Sequence, residues 1–253
     1  MASTLFIGAI RNLNTISRSD NPDFDQANEE FQAAREVFIQ NRKARMHNDE
    51  ELECEKCTIA MPKGYHVHHI DGDHQNNKES NFSIRCPFCH LCEHIGWVGK
   101  NRKGVIIYAP DISQENLNLL LLTAYCLEFS LSKTSKDTTE YETLEQLVLQ
   151  TQSVLKAFEH TKTKVLRNYQ TNCPADFADT FLAMSEDEYQ QREKNTFYGL
   201  RLFFYPDGFK KEIEMFANSI FQISDSRKSN PLHPSEWLSR ASIFQNQKKG
   251  IER

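Results

Sequence analysis

The chain has 253 residues, 26% of them charged, and a net charge of −5 at neutral pH. That length can bury a sizeable core. The mildly acidic balance, with an isoelectric point near 6.0, excludes a protein whose main work is coating nucleic acid, because such a protein needs a basic excess.

Residues 5–10, Leu-Phe-Ile-Gly-Ala-Ile, read as a short strand, and Asn21-Pro22-Asp23 breaks the chain before a helix. Phe31, Ala34, Val37 and Phe38 give that helix an apolar stripe, expected to pack on the segment that follows. Gly64 and Gly72 read as turn residues, and a helix is expected over about residues 88–95. Ser113 can cap a helix whose buried stripe is Leu117, Leu120, Leu121, Ala124 and Leu127. After a polar break at 130–139, Thr139 with Glu142 forms the pattern of a capping box, and Leu144, Leu147, Val148, Leu155 and Phe158 share a face. Pro174 opens a short helix, and Ser185 with Glu188 reads as a second capping box. The run Leu202-Phe203-Phe204-Tyr205 suits either a strand or a buried connector, and Ile213, Phe216, Ile220 and Phe221 suit a final helix. Aromatics near 197–209, with Trp97 and Trp237, are candidates for a groove that accepts a partner segment.

No basic segment followed by an apolar core opens the sequence, so no secretory leader is expected. The longest apolar stretch, residues 117–129, is interrupted by Asn118, Thr123 and Glu128, short of the roughly 18–20 apolar residues of a membrane span. The expected compartment is the cytoplasm, where thiols stay reduced.

Two Cys-x-x-Cys pairs, Cys54/Cys57 and Cys86/Cys89, carry the strongest chemical signal. Each pair places two thiolates on a tight turn, and two such turns supply the four soft ligands that tetrahedral zinc prefers. A disulfide framework fits worse without a leader. Cys92 stands three residues after Cys89 and reads as a buried thiol, Cys126 as core, and Cys173 carries no functional signal. His66 and His74 flank the pair His68-His69 and are expected to be exposed. His90 and His94 share a helical face, which suits a metal site and simple packing equally. Asp71 and Asp73 read as turn residues because the oxygen-ligand pattern of a calcium loop is incomplete. Between Glu51 and Lys103 seven basic residues face seven acidic ones, so the region carries no net basic field.

The strand Val67-His68-His69-Ile70, the polar loop to Ser80, Asn81-Phe82 and Cys86-Pro87-Phe88-Cys89-His90 resemble the HNH (ββα-metal) nuclease family. The resemblance implies that His68 and His90 hold a catalytic divalent cation, that His69 is the general base and that Asn81 orients it. The same scaffold can persist after catalysis is lost.

Past the module, His90 to Gly99, the stretch Gly104 to Asn118, Ala175-Asp176-Phe177-Ala178, Tyr198 to Leu202 and Trp237-Leu238 are similar, in order, to the IcmJ/DotN family of type IVB secretion systems. That resemblance implies an HNH-like zinc fold without nuclease function. It further implies a subunit of the coupling complex that recruits effectors to the secretion ATPase, binding the C-terminal extension of that ATPase, DotL, beside other coupling-complex subunits at the cytosolic face of the inner membrane.

The expectation is therefore an α+β protein: a zinc-stabilised HNH-like ββα module with a mainly helical extension. The segments are residues 1–48 (strand and helix packing on the module), 49–110 (the module) and 111–253 (the helical extension). The expected function is a noncatalytic adaptor with zinc on Cys54, Cys57, Cys86 and Cys89. The alternative is a metal-dependent HNH endonuclease using His69 and Asn81 with His68 and His90 as ligands.

Overall fold

The computed structural model describes residues 5–11, 28–47, 51–61 and 63–220. Among them the secondary structure is α+β, as expected: helices of varied length and three two-stranded sheets. The described residues divide into two compact units, one of those up to 104 together with 173–198, the other of 105–172 together with 199–220.

In the first unit, helix α1 (Glu29–Ala44) begins where the Asn28 side chain accepts the Phe31 amide at 3.2 Å. Glu29 and Glu30 in its first turn and Arg42 and Lys43 in its last complement the helix dipole. The buried face is Phe31, Phe38 and Ile39, while Val37 is 55% exposed. Val37 lies about 100° round the helix from Phe38, which turns it out of the expected stripe. Phe31 and Phe38 both pack edge-on against Phe82, at 5.8 and 5.5 Å between ring centroids.

Strands β1 (Leu52–Glu53) and β2 (Ala60–Met61) pair antiparallel. They close a turn in which Thr58 takes the left-handed conformation, φ +60°, as its amide bonds the Cys54 carbonyl at 2.8 Å. Strands β3 (His66–His69) and β4 (Phe82–Arg85) form the second antiparallel pair, with His66 opposite Arg85 and His69 opposite Phe82. Gly72, at φ +70°, makes the turn after β3, a conformation that costs glycine little.

The helix expected over 88–95 is two pieces, α2 (Pro87–Leu91) and α3 (Ile95–Lys100). At the junction the Glu93 and His94 amides bond carbonyls three residues back, those of His90 and Leu91, tightening the last turn. Residues 5–11 meet this junction: the Gly8 amide bonds the Cys92 carbonyl at 2.8 Å, and the Ile95 amide bonds the Gly8 carbonyl at 3.2 Å. The expected strand at 5–10 is consequently no strand. Its central polar groups are taken by a helix break, although Leu5, Ile7, Ala9 and Ile10 are buried as a strand's would be.

Helices α7 (Pro174–Ala183) and α8 (Glu186–Gln190) complete this unit, the latter opened by the expected Ser185/Glu188 capping box. α3 lies so close to α7 that a Cβ on Gly99 would sit 2.3 Å from the Ala175 nitrogen. Phe177, Phe181 and Phe197 form an edge-to-face cluster beside it, Phe181 to Phe197 at 5.2 Å.

In the second unit, β5 (Gly104–Tyr108) pairs with β6 (Leu200–Phe204), which makes the apolar run a strand up to Phe204, with Tyr205 just past its end. Helix α4 (Gln114–Lys133), capped by Ser113 as expected, is buried continuously from Leu117 to Leu127. The Gln114 amide group behaves like one more strand residue. It accepts the Leu202 amide at 2.8 Å and donates to the Leu202 carbonyl at 2.9 Å.

Helix α5 (Thr139–His160) starts one residue earlier than the sequence pattern indicates, because Thr138 accepts the Tyr141 amide. Leu144 and Val148 pack on Leu127 of α4, and α6 (Lys162–Tyr169) and α9 (Lys210–Ile220) follow. Phe197, Phe203, Phe204 and Phe209 are buried and belong to the core, while Tyr198, in the same aromatic run, is 55% exposed. Phe221, Trp237 and Leu238 lie outside the described residues.

Candidate metal centres

The sulfurs of Cys54, Cys57, Cys86 and Cys89 lie within 4.8 Å of one another, and all four residues are buried. Each pair comes from a turn the local sequence enforces: Cys54 and Cys57 from the β1–β2 connection, Cys86 as N-cap of α2 and Cys89 one turn along it. Pro87 at the first helical position fixes that start. Cys57 Sγ and Cys86 Sγ are 3.7 Å apart. A disulfide needs about 2.05 Å, whereas metal–sulfur bonds of about 2.3 Å in a tetrahedron give an edge of about 3.8 Å.

The protonation pattern fits the same need. Hydrogen bonds from Cys57, then Cys86 and Cys89, pull the Cys54 thiol down. Hydrogen bonding with Cys54 pushes Cys57 up, and burial pushes Cys86 and Cys89 up. One thiolate is tolerated among four buried sulfurs, and the rest ionise only against a cation. Cys92 stays outside the group, its thiol facing the Phe88 carbonyl at 3.2 Å, and Cys126 is core, both as expected.

A second group forms on the neighbouring face: His68, His90 and His94, also within 4.8 Å and buried. His68 comes from β3, His90 from α2, and His94 stands at the N-cap of α3. His90 Nε2 and His94 Nε2 face each other at 3.1 Å, near the roughly 3.3 Å edge of a tetrahedron with 2.0 Å metal–nitrogen bonds. Burial first, then the charges of His94, His66, His68 and Arg85, hold the His90 imidazole well below its ordinary value. It is therefore neutral at physiological pH, the form that ligates a cation. The i, i+4 spacing of His90 and His94 is the signal that brings His94 into the group, although the helix breaks between them.

His69, the residue assigned as general base, does not enter that trio. Its ring packs on Phe31 and Phe82, each at 5.1 Å between centroids, and its Nε2 meets Asn77 Oδ1 at 3.1 Å. It does line the same cleft of about 460 Å³ as His66, His68, His74 and His90, with Phe31 at the side. His74, expected to be exposed, is buried against His69.

Asn81 holds the intervening loop. Its amide donates to Asp71 Oδ1 at 2.8 Å and to the Asn76 carbonyl at 2.9 Å, and it accepts the Asp71 amide at 3.1 Å. Burial works to raise Asp71, but the bonds from Asn76, the Asp73 amide and Asn81 outweigh it and hold this carboxylate below its ordinary value. The acidic loop is thus an internally bonded turn, as its sequence indicates.

No family model matches the chain. It is 27% identical over 174 residues to "Type 4 apparatus protein DotN" of Legionella pneumophila, a match covering 67% of this chain and 74% of that protein. It is also 38% identical over 53 residues to "Putative HNH nuclease YajD" of Escherichia coli K12, covering 20% of this chain and 46% of that protein, and equally to the Salmonella typhimurium protein of that name. The YajD matches thus span about half the length of those relatives.

Proposed function

As a relative of DotN within the IcmJ/DotN family, the chain serves, we propose, as a noncatalytic subunit of a type IVB secretion apparatus, binding the cytosolic tail of its coupling ATPase. The observation that supports this is extent: likeness to DotN runs over 174 residues, likeness to YajD over 53. In this reading Cys54, Cys57, Cys86 and Cys89 hold a structural zinc, because four thiolates leave no open position for substrate.

Co-expression with the cognate ATPase tail and size-exclusion chromatography test the assignment. A specific interface burying about 1,200–2,000 Å² should survive the column. Separate elution of two folded components counts against the subunit role.

One observation favours a second reading. His68, His69 and His90 line a single open cleft, with Asn81 stabilising the loop above it. A divalent cation on the His68, His90 and His94 imidazoles would supply charge against an attacked phosphate. His69 would take the proton of water in that mechanism. Incubation with plasmid DNA and Mg²⁺, Mn²⁺ or Ni²⁺ separates the readings: cleavage by the wild type that vanishes in His69→Ala establishes the nuclease. His69 is 2% exposed, so the variant must be shown folded before its silence counts.

A further inference from the structure

We propose that Glu93 is a positioning carboxylate for the histidine group, holding the Nε2–H of His68 so that Nδ1 is the nitrogen this ring offers to a cation shared with His90 and His94. Glu93 Oε2 bonds His68 Nε2, and the other carboxylate oxygen lies 4.0 Å from Arg85 Nη2. His68 and Arg85 are both more than nine-tenths buried, at 5% exposure each. Glu93 itself is 27% exposed, so the carboxylate sits at the rim of this buried group.

Its placement is set by backbone. Glu93 directly precedes His94, and its own amide bonds the His90 carbonyl at 3.1 Å. One tight turn therefore fixes two candidate ligands and the carboxylate that orients the third. Between the His68 ring and the Arg85 guanidinium, Glu93 meets His68 as an acceptor.

Imidazole has two nitrogens, and the neutral ring carries one proton. With Nε2 committed as donor to Glu93, the lone pair sits on Nδ1. A carboxylate behind a ligating histidine fixes tautomer and ring angle and raises ligand basicity. Arg85, 4.0 Å from the carboxylate, offsets part of its charge. The inference does not depend on the secretion role, and failure of the ATPase tail to co-elute leaves it untouched.

The test uses the full chain with the cysteine site loaded with zinc, titrated with Co²⁺ and read by visible absorption. Nitrogen-ligated cobalt lacks the sulfur charge-transfer band that would reveal displacement at the cysteines. Wild type should take up one further equivalent that the double substitution His90→Ala, His94→Ala abolishes. Glu93→Ala should weaken that equivalent roughly 10- to 100-fold, with Glu93→Gln, which keeps an acceptor without charge, falling between. Nitrogen-15 NMR of the zinc form should show His68 protonated at Nε2 in wild type and lose that assignment in Glu93→Ala. Should Glu93→Ala misfold, Glu93→Gln carries the affinity comparison alone. Wild-type affinity in the folded Glu93 variants, a metal-bound Nε2 on His68, or no second equivalent in the wild type each overturns the proposal.

Discussion

Cys57→Ser removes one of the four sulfurs while leaving a side chain of similar size, and its cost can be set from the site itself. Structural zinc contributes an apparent 10–16 kcal/mol, roughly, to small metal-built modules. Shared over four ligands that is about 2.5–4 kcal/mol for one sulfur, or roughly two to three decades in metal affinity. The paired strands beside the site are two residues each, Leu52 with Met61 and Glu53 with Ala60, too few to hold the Cys54 turn without the metal. The loss should therefore reach folding, since a domain's whole stability is only about 5–15 kcal/mol. Elemental analysis with chelator competition measures the affinity, and thermal denaturation with and without added zinc measures the coupling. Cys92→Ser is the matched control, a buried thiol outside the group. If Cys57→Ser keeps wild-type zinc affinity, or Cys92→Ser loses the metal instead, the ligand set is wrong.

Zinc affinity should rise with pH, because Cys57, Cys86 and Cys89 are held protonated without the metal and binding must release those protons, up to roughly one decade per pH unit for each; a flat apparent Kd between pH 6.5 and 8.5 would contradict the thiol arrangement. Gly99→Ala should lower stability by about 1–3 kcal/mol, since its Cβ would meet the Ala175 backbone at 2.3 Å, and an unchanged Tm would mean that α3 and α7 are not packed this closely. Asn81→Ala should cost about 0.5–1.5 kcal/mol for each bond lost to the Asp71 amide and the Asn76 carbonyl, both within reach of water, and under the subunit assignment it should leave co-elution with the ATPase tail intact when the protein is folded.

The metal chemistry was legible because it depends on spacing. Cys-x-x-Cys on a turn and at a helix start has few geometric outcomes, so the spacing alone groups these four sulfurs. Capping patterns at Ser113 and Ser185 were legible for the same reason, being set within four residues. Interactions distant in sequence were not. Residues 5–10 carry strand-like composition, but their partners are Cys92 and Ile95, and nothing local announces a helix break more than eighty positions away. Gln114 reads as a helix-start polar residue, whereas its side chain completes the edge of a strand at Leu202. Glu93 was invisible as a positioning group because its partner His68 stands on another strand, twenty-five positions back.

The two candidate centres share one stretch of backbone, and this bears on how a metal-built scaffold can outlast its chemistry. Cys86, Cys89 and His90 lie within five consecutive positions, and α2 holds Cys89 and His90 side by side. The Cys89 amide donates to Cys86 Sγ at 3.4 Å, and the His90 amide to the Cys86 carbonyl at 2.9 Å. The backbone that seats the cysteine sulfurs therefore also places position 90 at the cleft, and β3, paired to β4 just before Cys86, places position 68 beside it. What distinguishes the two functions is occupancy of the histidine group during DNA cleavage, which chelation selective for the nitrogen site can remove while the four thiolates keep the fold.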